Sequence, residues 1–345
     1  MNQLDLLSGI RVLELSEGIA GAMCGKVLSD LGAEVIKVES ESDGRFHVKG
    51  SAAAYQQLDA HKQIIYPDIA ADDFLATLQE IFDGIDFFVT DLCRKDLSDM
   101  GLDYPDLQES HAGLIYCYIS GWGVNGPLKD CEASELSIQI ASGMTRYLGS
   151  SDGPPVRQGF DLVSVNTGIA AAQAALAAYL WRHQSHKGQR VEVSMLATAV
   201  ALMQWSIAAE SKPDAWQGRQ VTAQDWPPDH GFLCADTRCF IDLHGNTKAW
   251  PDLLREIGCP ELAADPRFNS SEGLDIHGPE LPALTAAQMK KWAFADLEKL
   301  VREKYDGTIV PVLDLSKVLE HPQIEHLGMI IPGEKPTICF PMEMK

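Results

Sequence analysis

The stretch RVLELSEGIAGAMCGKVLSDLGAEVIKV, residues 11–38, decides the fold. Arg11–Leu15 and Glu34–Val38 are short apolar runs of the kind that make buried strands. Between them, Ala20–Leu31 spaces its apolar and small residues as a helix does, and Gly32 stops that helix. Strand, helix and strand in so short a span make a βαβ unit, whose two strands lie parallel.

The same alternation runs outward from this unit. Phe87–Val89 and Leu114–Ile119 (LIYCYI) read as further strands after helical stretches, which predicts a parallel sheet covered by helices. Glycine and proline mark Gly121–Pro127 and Ser150–Gly159 as surface loops. GIAAAQAALAAYLWRH, from Gly168 to His183, predicts a strong helix with small residues on every face, hence a buried one. A turn at Lys187–Gly188, the strand RVEVSM and a helix from Leu196 to about Ala209 follow.

The composition turns polar at Glu210, and residues 210–229 read as a linker. Beyond it, strands are predicted at Gly231–Ala235, Arg238–Leu243 and Thr308–Leu313. Helices are predicted at Trp250–Ile257, Thr285–Ala293 and Phe294–Lys304. The expected architecture is α/β. It has a parallel-sheet domain before the linker and a smaller α+β domain after it.

The 345 residues carry 28 Lys and Arg against 49 Asp and Glu, a formal charge of −21, and 46% are hydrophobic. Such a chain is neither disordered nor collagen-like, and it is long enough to bury a core without disulfide staples. Nucleic acid is an unsuitable partner for so acidic a chain, and an anionic membrane surface would repel it. The eight cysteines (Cys24, Cys93, Cys117, Cys131, Cys234, Cys239, Cys259 and Cys339) form no CxxC pair and read as reduced thiols in apolar sites. MNQLDLLSGIRVLEL has no basic leader region or small-residue cleavage site, and no apolar run approaches the roughly 18 residues of a membrane span. A cytoplasmic location is expected.

For chemistry, the turn Ser16–Gly21 (SEGIAG) delivers the chain to a helix N-terminus, where N–H groups can hold a phosphate. Glu17, Gly18, Ile19 and Ala20 are the candidate contacts, with Glu39 placed to meet a ribose hydroxyl. The GxGxxG pattern of a nicotinamide dinucleotide site is absent, as is GxSxG. No metal-ligand spacing occurs: His183 and His186 read as helix-end residues, and His321 and His326 as loop or helix-end residues.

Several segments carry a family pattern: GIRVLEL, LSDLGAEVIKVES, DMGLDYPDLQ, ISGWGVNGP, SDGPPVRQG, NTGIAAAQAALAAYLWRHQSHKGQRVEVSML, CPELAADPRFN and LEHPQIEHLGM. They occur in order over nearly the whole chain, which resembles the class III coenzyme A transferases, a CaiB/BaiF-like family that includes formyl-CoA transferases and α-methylacyl-CoA racemases. The resemblance implies a nucleotide-binding-like large domain over residues 1–209 and 325–345, with a smaller α+β domain over residues 230–324 inserted before its C-terminal segment. It also implies coenzyme A or an acyl-CoA as substrate, no tightly bound cofactor, and two chains interlocked as a homodimer. A dimer with a paralogous subunit is an alternative.

In the transferases an aspartate attacks the acyl thioester and forms a mixed anhydride. The family's stretch from glycine to glycine is here Gly159–Gly168, GFDLVSVNTG, and the position of that aspartate holds Ser164. Asp161 lies three residues earlier, where the family usually has a small or apolar residue. A serine hydroxyl needs a partner base, and none adjoins Ser164 in sequence. The His and Asp pair of the racemases corresponds to Ser134 and Ser164, whereas Glu135 matches a glutamate that lines the transferase site. Two arginines of the CoA site are replaced, by Ser40 and Asp99, which leaves Lys37, Lys62, Arg94 and Lys95, with Asp91 and Leu92, as the nucleotide-end candidates.

Plainer roles stand beside these. Ser164 caps a helix that begins near Asn166 or Thr167, Glu135 is a solvated or capping carboxylate, Asp99 is a surface charge, and Trp122 and Trp205 are packing residues. Two readings of function follow: an acyl-thioester enzyme with altered chemistry at Ser164 or Asp161, or a catalytically silent subunit. A nicotinamide enzyme, a third, rests on the βαβ unit alone.

Overall fold

The computed structural model describes residues 5–39, 57–67, 74–147, 154–210, 231–244, 246, 248–331, 337–338 and 341. The chain forms two compact units, one of residues 1–145, 157–208 and 322–345, the other of residues 146–156 and 209–321. Of the expected linker 210–229, only Glu210 falls among the described residues.

The first unit is built on a six-stranded, wholly parallel sheet of β1 (Arg11–Leu15), β2 (Glu34–Val38), β3 (Gln63–Ile65), β4 (Phe87–Thr90), β5 (Ile115–Ser120) and β6 (Gln189–Ser194). The order is β3-β2-β1-β4-β5-β6. Strand β1 runs down the middle because Val12, Leu13 and Leu15 bury both of its faces. The chain order reverses there, and in sheets of this kind ligands bind beyond the C-terminal ends of the strands at that point, here β1 and β4.

Helix α1 (Ile19–Asp30) follows β1. Helices α2 (Phe74–Phe82), α3 (Arg94–Asp99) and α4 (Tyr104–Leu107) supply Leu78, Phe82, Leu97 and Leu107 to the core on one sheet face. After α5 (Glu135–Ala141), the long helix α6 (Leu162–Ser185) joins α1 on the opposite face. Gly168, Ala171, Ala172, Ala175 and Ala178 make one stripe of α6 small enough for α1 to approach. A Cβ on Gly168 would lie 2.5 Å from the Ala20 carbonyl oxygen and 2.6 Å from Met23 Cβ. The length and composition of α6 would also suffice to cross a membrane, which the sequence reading missed, although here α1 and the sheet cover this stripe.

Several boundaries differ from the expected ones: the helix expected at Thr285–Ala293 lies at Leu281–Met289, and two differences fall in the first unit. Helix α6 starts at Leu162 rather than near Asn166, because an acceptor distant in sequence satisfies its first N–H groups. The helix expected from Leu196 to Ala209 is two, α7 (Met195–Leu202) and α8 (Gln204–Glu210), separated at Met203.

In the second unit, β7 (Phe232–Leu233), β8 (Arg238–Asp242) and β9 (Thr308–Pro311) form an antiparallel sheet. Its core draws on α9 (Ala249–Glu256), α10 (Pro260–Ala264), α11 (Ser271–His277), α12 (Leu281–Met289) and α13 (Phe294–Tyr305). The seven described cysteines are free thiols. Five are buried, but Cys93 and Cys131 are exposed rather than packed in apolar sites, and Cys339 lies outside the described residues.

Candidate active site

The turn at the end of β1 is where the sequence places a phosphate, and the structure puts a carboxylate there. Asp91, just past β4, accepts from the N–H groups of Glu17 (2.8 Å), Gly18 (3.0 Å) and Gly21 (3.2 Å). Glycine is needed for that approach: a Cβ on Gly18 would sit 2.6 Å from Asp91 Oδ2, and one on Gly21 2.5 Å from Ser16 Cβ. The chain's own anion thus caps α1, as a bound phosphate would. Burial pushes the Asp91 carboxyl up to about 6, the three N–H bonds pull it back, and Glu14 adds to the rise.

Most of the neighbouring candidates are enclosed by the fold. Ile19 packs on Ala22, as Leu58 does, Ala20 is buried against α6, and Leu92 lies inside the core. The Lys37 ammonium, with no solvent exposure, pairs with Glu39 (2.5 Å) and Asp59 (2.8 Å). That of Lys62, equally enclosed, pairs with Glu14 (2.7 Å) and donates to the Ala22 carbonyl (2.8 Å). Both lysines neutralise carboxylates inside the fold and present no ammonium to solvent, and Glu39 is paired with Lys37. Among the nucleotide-end candidates, Arg94 and Lys95 do reach solvent, paired with Asp103 (3.1 Å) and Asp99 (3.5 Å). Asp99 is the exposed surface charge expected, and Ser40 lies outside the described residues.

A second cluster joins α5 to α6. Ser134 caps α5 in a reciprocal box with Ser137, which fixes Glu135 in the first turn. The Glu135 carboxylate receives four hydrogen bonds. Gln139 Nε2 (2.8 Å) and the Val163 N–H (2.9 Å) donate to Oε1, and the Ser164 N–H (2.8 Å) and Ser164 Oγ (2.6 Å) donate to Oε2. This carboxylate at the N-terminus of α6 both satisfies orphan N–H groups and faces the positive end of the helix.

Ser164 is therefore not the N-cap the sequence suggested. It is the third residue of α6, 6% exposed, with its hydroxyl turned sideways to Glu135. The N-cap position belongs to Asp161, whose side chain caps nothing and lies 3.7 Å from the Arg157 guanidinium. The four donors fill the four lone-pair directions of Glu135, leaving that carboxylate none for attack. Ser164 Oγ gives its proton to Glu135 and keeps its own lone pairs. The structure thus joins Ser164 to Glu135 and leaves Asp161 aside.

Sequence reasoning missed Gln139. It is fully buried, clamps Glu135 and also accepts from the Gln158 N–H (3.0 Å), which ties the approach to α6 onto α5. Its signal was the i, i+4 spacing from Glu135 on a predicted site segment. Trp122 packs beside Ile138 and Val163 as expected, whereas Trp205 is 75% exposed and so is not a packing residue within this chain. Among the described residues no cluster of three or more His, Cys, Asp or Glu could hold a metal ion.

The family model of CoA-transferase family III matches residues 7–345. The succinyl-CoA–D-citramalate CoA-transferase of Chloroflexus aurantiacus is 32% identical, over 96% of this chain and 84% of that one. Human succinyl-CoA:glutarate CoA-transferase is 26% identical, over 98% and 78%. A solved structure of a hypothetical protein from Mycobacterium tuberculosis superposes with a TM-score of 0.79 at 26% identity, covering 98% of this chain and 92% of that one. A CAIB/BAIF family protein from Brucella suis shares the fold, with a TM-score of 0.85 at 24% identity and the same coverage. The parallel sheet, the Gly159–Gly168 stretch and these likenesses agree: the chain belongs to CoA-transferase family III.

Proposed function

We propose that the chain acts on an acyl-CoA thioester, with Ser164 Oγ meeting the acyl carbon and Glu135 receiving the hydroxyl proton. The observation that carries this reading is the 2.6 Å bond between Ser164 Oγ and Glu135 Oε2. It supplies the base that the local sequence lacks, at hydrogen-bond distance from a hydroxyl with free lone pairs. The names of the relatives support a CoA thioester and make succinyl-CoA the first probe. Arg94 and Lys95, exposed on α3, are the cations offered to CoA phosphates, while Asp91 already occupies the N-terminus of α1. No resident cofactor enters this reading.

The working form is a homodimer in this reading. Val200, Leu202, Trp205 and Ile207 expose large apolar side chains along α7 and α8, a face that a second copy would cover. The seven free thiols support a reducing, cytoplasmic setting.

Calorimetry with CoA and succinyl-CoA, followed by thiol release from succinyl-CoA, tests the reading. Saturable binding is expected, together with thiol release that Ser164→Ala abolishes while circular dichroism stays unchanged. Absence of binding, or undiminished release by the Ser164→Ala variant, would overturn it.

A further inference from the structure

We propose that this chain transfers the acyl group of its thioester to a proton-bearing acceptor (water, an alcohol, an amine or a thiol) and does not pass coenzyme A on to a second carboxylate. The inference rests on Ser164 as nucleophile and on the engaged state of the carboxylate hydrogen-bonded to it.

For an enzyme to hold CoA covalently between two acyl groups, it must offer a carbonyl of its own on which the thiol can rest. A side-chain carboxylate can do so, because its anhydride with the substrate has two carbonyls and attack at the enzyme's own leaves an enzyme thioester. An alcohol cannot. The ester on Ser164 Oγ has one carbonyl, that of the acyl group, so whatever opens the ester removes the acyl group. Glu135 is the carboxylate in contact with Ser164. Its two oxygens already accept from Gln139, Val163 and Ser164, the last through both its N–H and its hydroxyl. Attack through either oxygen of Glu135 would disturb the two hydrogen bonds that oxygen accepts. Asp161 is turned toward Arg157 and makes no bond to Ser164.

The balance closes without redox chemistry. In the first half, a bond forms between Ser164 Oγ and the acyl carbon, the carbon–sulfur bond breaks, and the hydroxyl proton passes along the 2.6 Å bond to Glu135 and on to the leaving thiolate. In the second, the acceptor bonds to the acyl carbon, the carbon–Oγ bond breaks, and the acceptor's proton returns to Ser164 Oγ through Glu135. The sum is acyl-CoA plus a proton-bearing acceptor giving the acylated acceptor plus free CoA. A carboxylate acceptor brings no proton to return and would yield a free anhydride.

The test uses full-length protein with succinyl-CoA, glutarate as carboxylate acceptor and hydroxylamine as proton-bearing acceptor. Free thiol and new acyl-CoA are measured on the same samples. The wild type is expected to release free CoA in step with succinate or succinyl hydroxamate and to make no glutaryl-CoA. Ser164→Asp, which supplies an enzyme carbonyl, is expected to shift product toward glutaryl-CoA. Glutaryl-CoA made by the wild type without free thiol, and lost in Ser164→Ala, would overturn this inference while leaving Ser164 as the nucleophile. Glutaryl-CoA or free thiol formed equally by Ser164→Ala would overturn both, as would no reaction with either acceptor.

Discussion

Replacing Asp91 with asparagine should change how stability depends on pH. The folded carboxyl titrates near 6 and an ordinary aspartate near 3.8. Between those values the native state binds the proton more tightly than the unfolded chain, so Asp91 favours folding at low pH and that contribution is lost as pH rises through 6. At about 1.36 kcal/mol per pH unit, the full difference is about 3 kcal/mol, of which about 2 kcal/mol falls between pH 4.5 and 7.5. The asparagine side chain cannot titrate. It can still accept from part of the Glu17, Gly18 and Gly21 set, and the lost bond, about 1 kcal/mol, is a pH-independent offset. Urea unfolding of both proteins across that range isolates the group, since every other titration cancels in the difference. The variant should gain about 2 kcal/mol on the wild type from pH 4.5 to 7.5. A difference that stays flat with pH would refute the claim that burial outweighs the three N–H bonds at this turn.

Other outcomes follow from the same geometry. Glu135→Ala strands four donors at the start of α6 and should cost about 3–5 kcal/mol, against about 1.5–3 kcal/mol for Ser164→Ala, which removes one charge-assisted bond; denaturant midpoints decide the ranking. Gly168→Ala should cost about 1–3 kcal/mol despite alanine's better helix propensity, because the added methyl meets the Ala20 carbonyl; thermal melts check the sign. Asp99→Arg removes an anion beside Lys95 and should tighten CoA binding at low salt, with the gain fading once the screening length falls below ~8 Å; calorimetry at two salt concentrations measures it.

The sheet was legible because β1, β2, β4 and β5 are apolar runs that need no distant partner to be recognised. The three residues of β3 were too few to stand out. Lys37 carried a signal that was misread. A lysine inside the apolar run EVIKV is flanked by buried residues and must meet an internal anion, and Glu14 is its register partner on β1. Of the candidate site, Ser164 and Glu135 were visible only through the family pattern. Their contact spans 29 positions, beyond any local periodicity, and that contact also sets the start of α6. The occupancy of the α1 N-terminus by Asp91 was hidden for the same reason, since a glycine turn looks alike whether it receives a phosphate or a carboxylate 70 residues away.

The measurement that bears most directly on the account is peptide mass mapping of the 159–168 stretch after brief mixing with succinyl-CoA and acid quench. A succinyl ester on Ser164 is expected, removed by hydroxylamine and absent from Ser164→Ala and from a control with CoA alone. An adduct on Glu135 or Asp161, or turnover with Ser164 unmodified under every quench time, would contradict it.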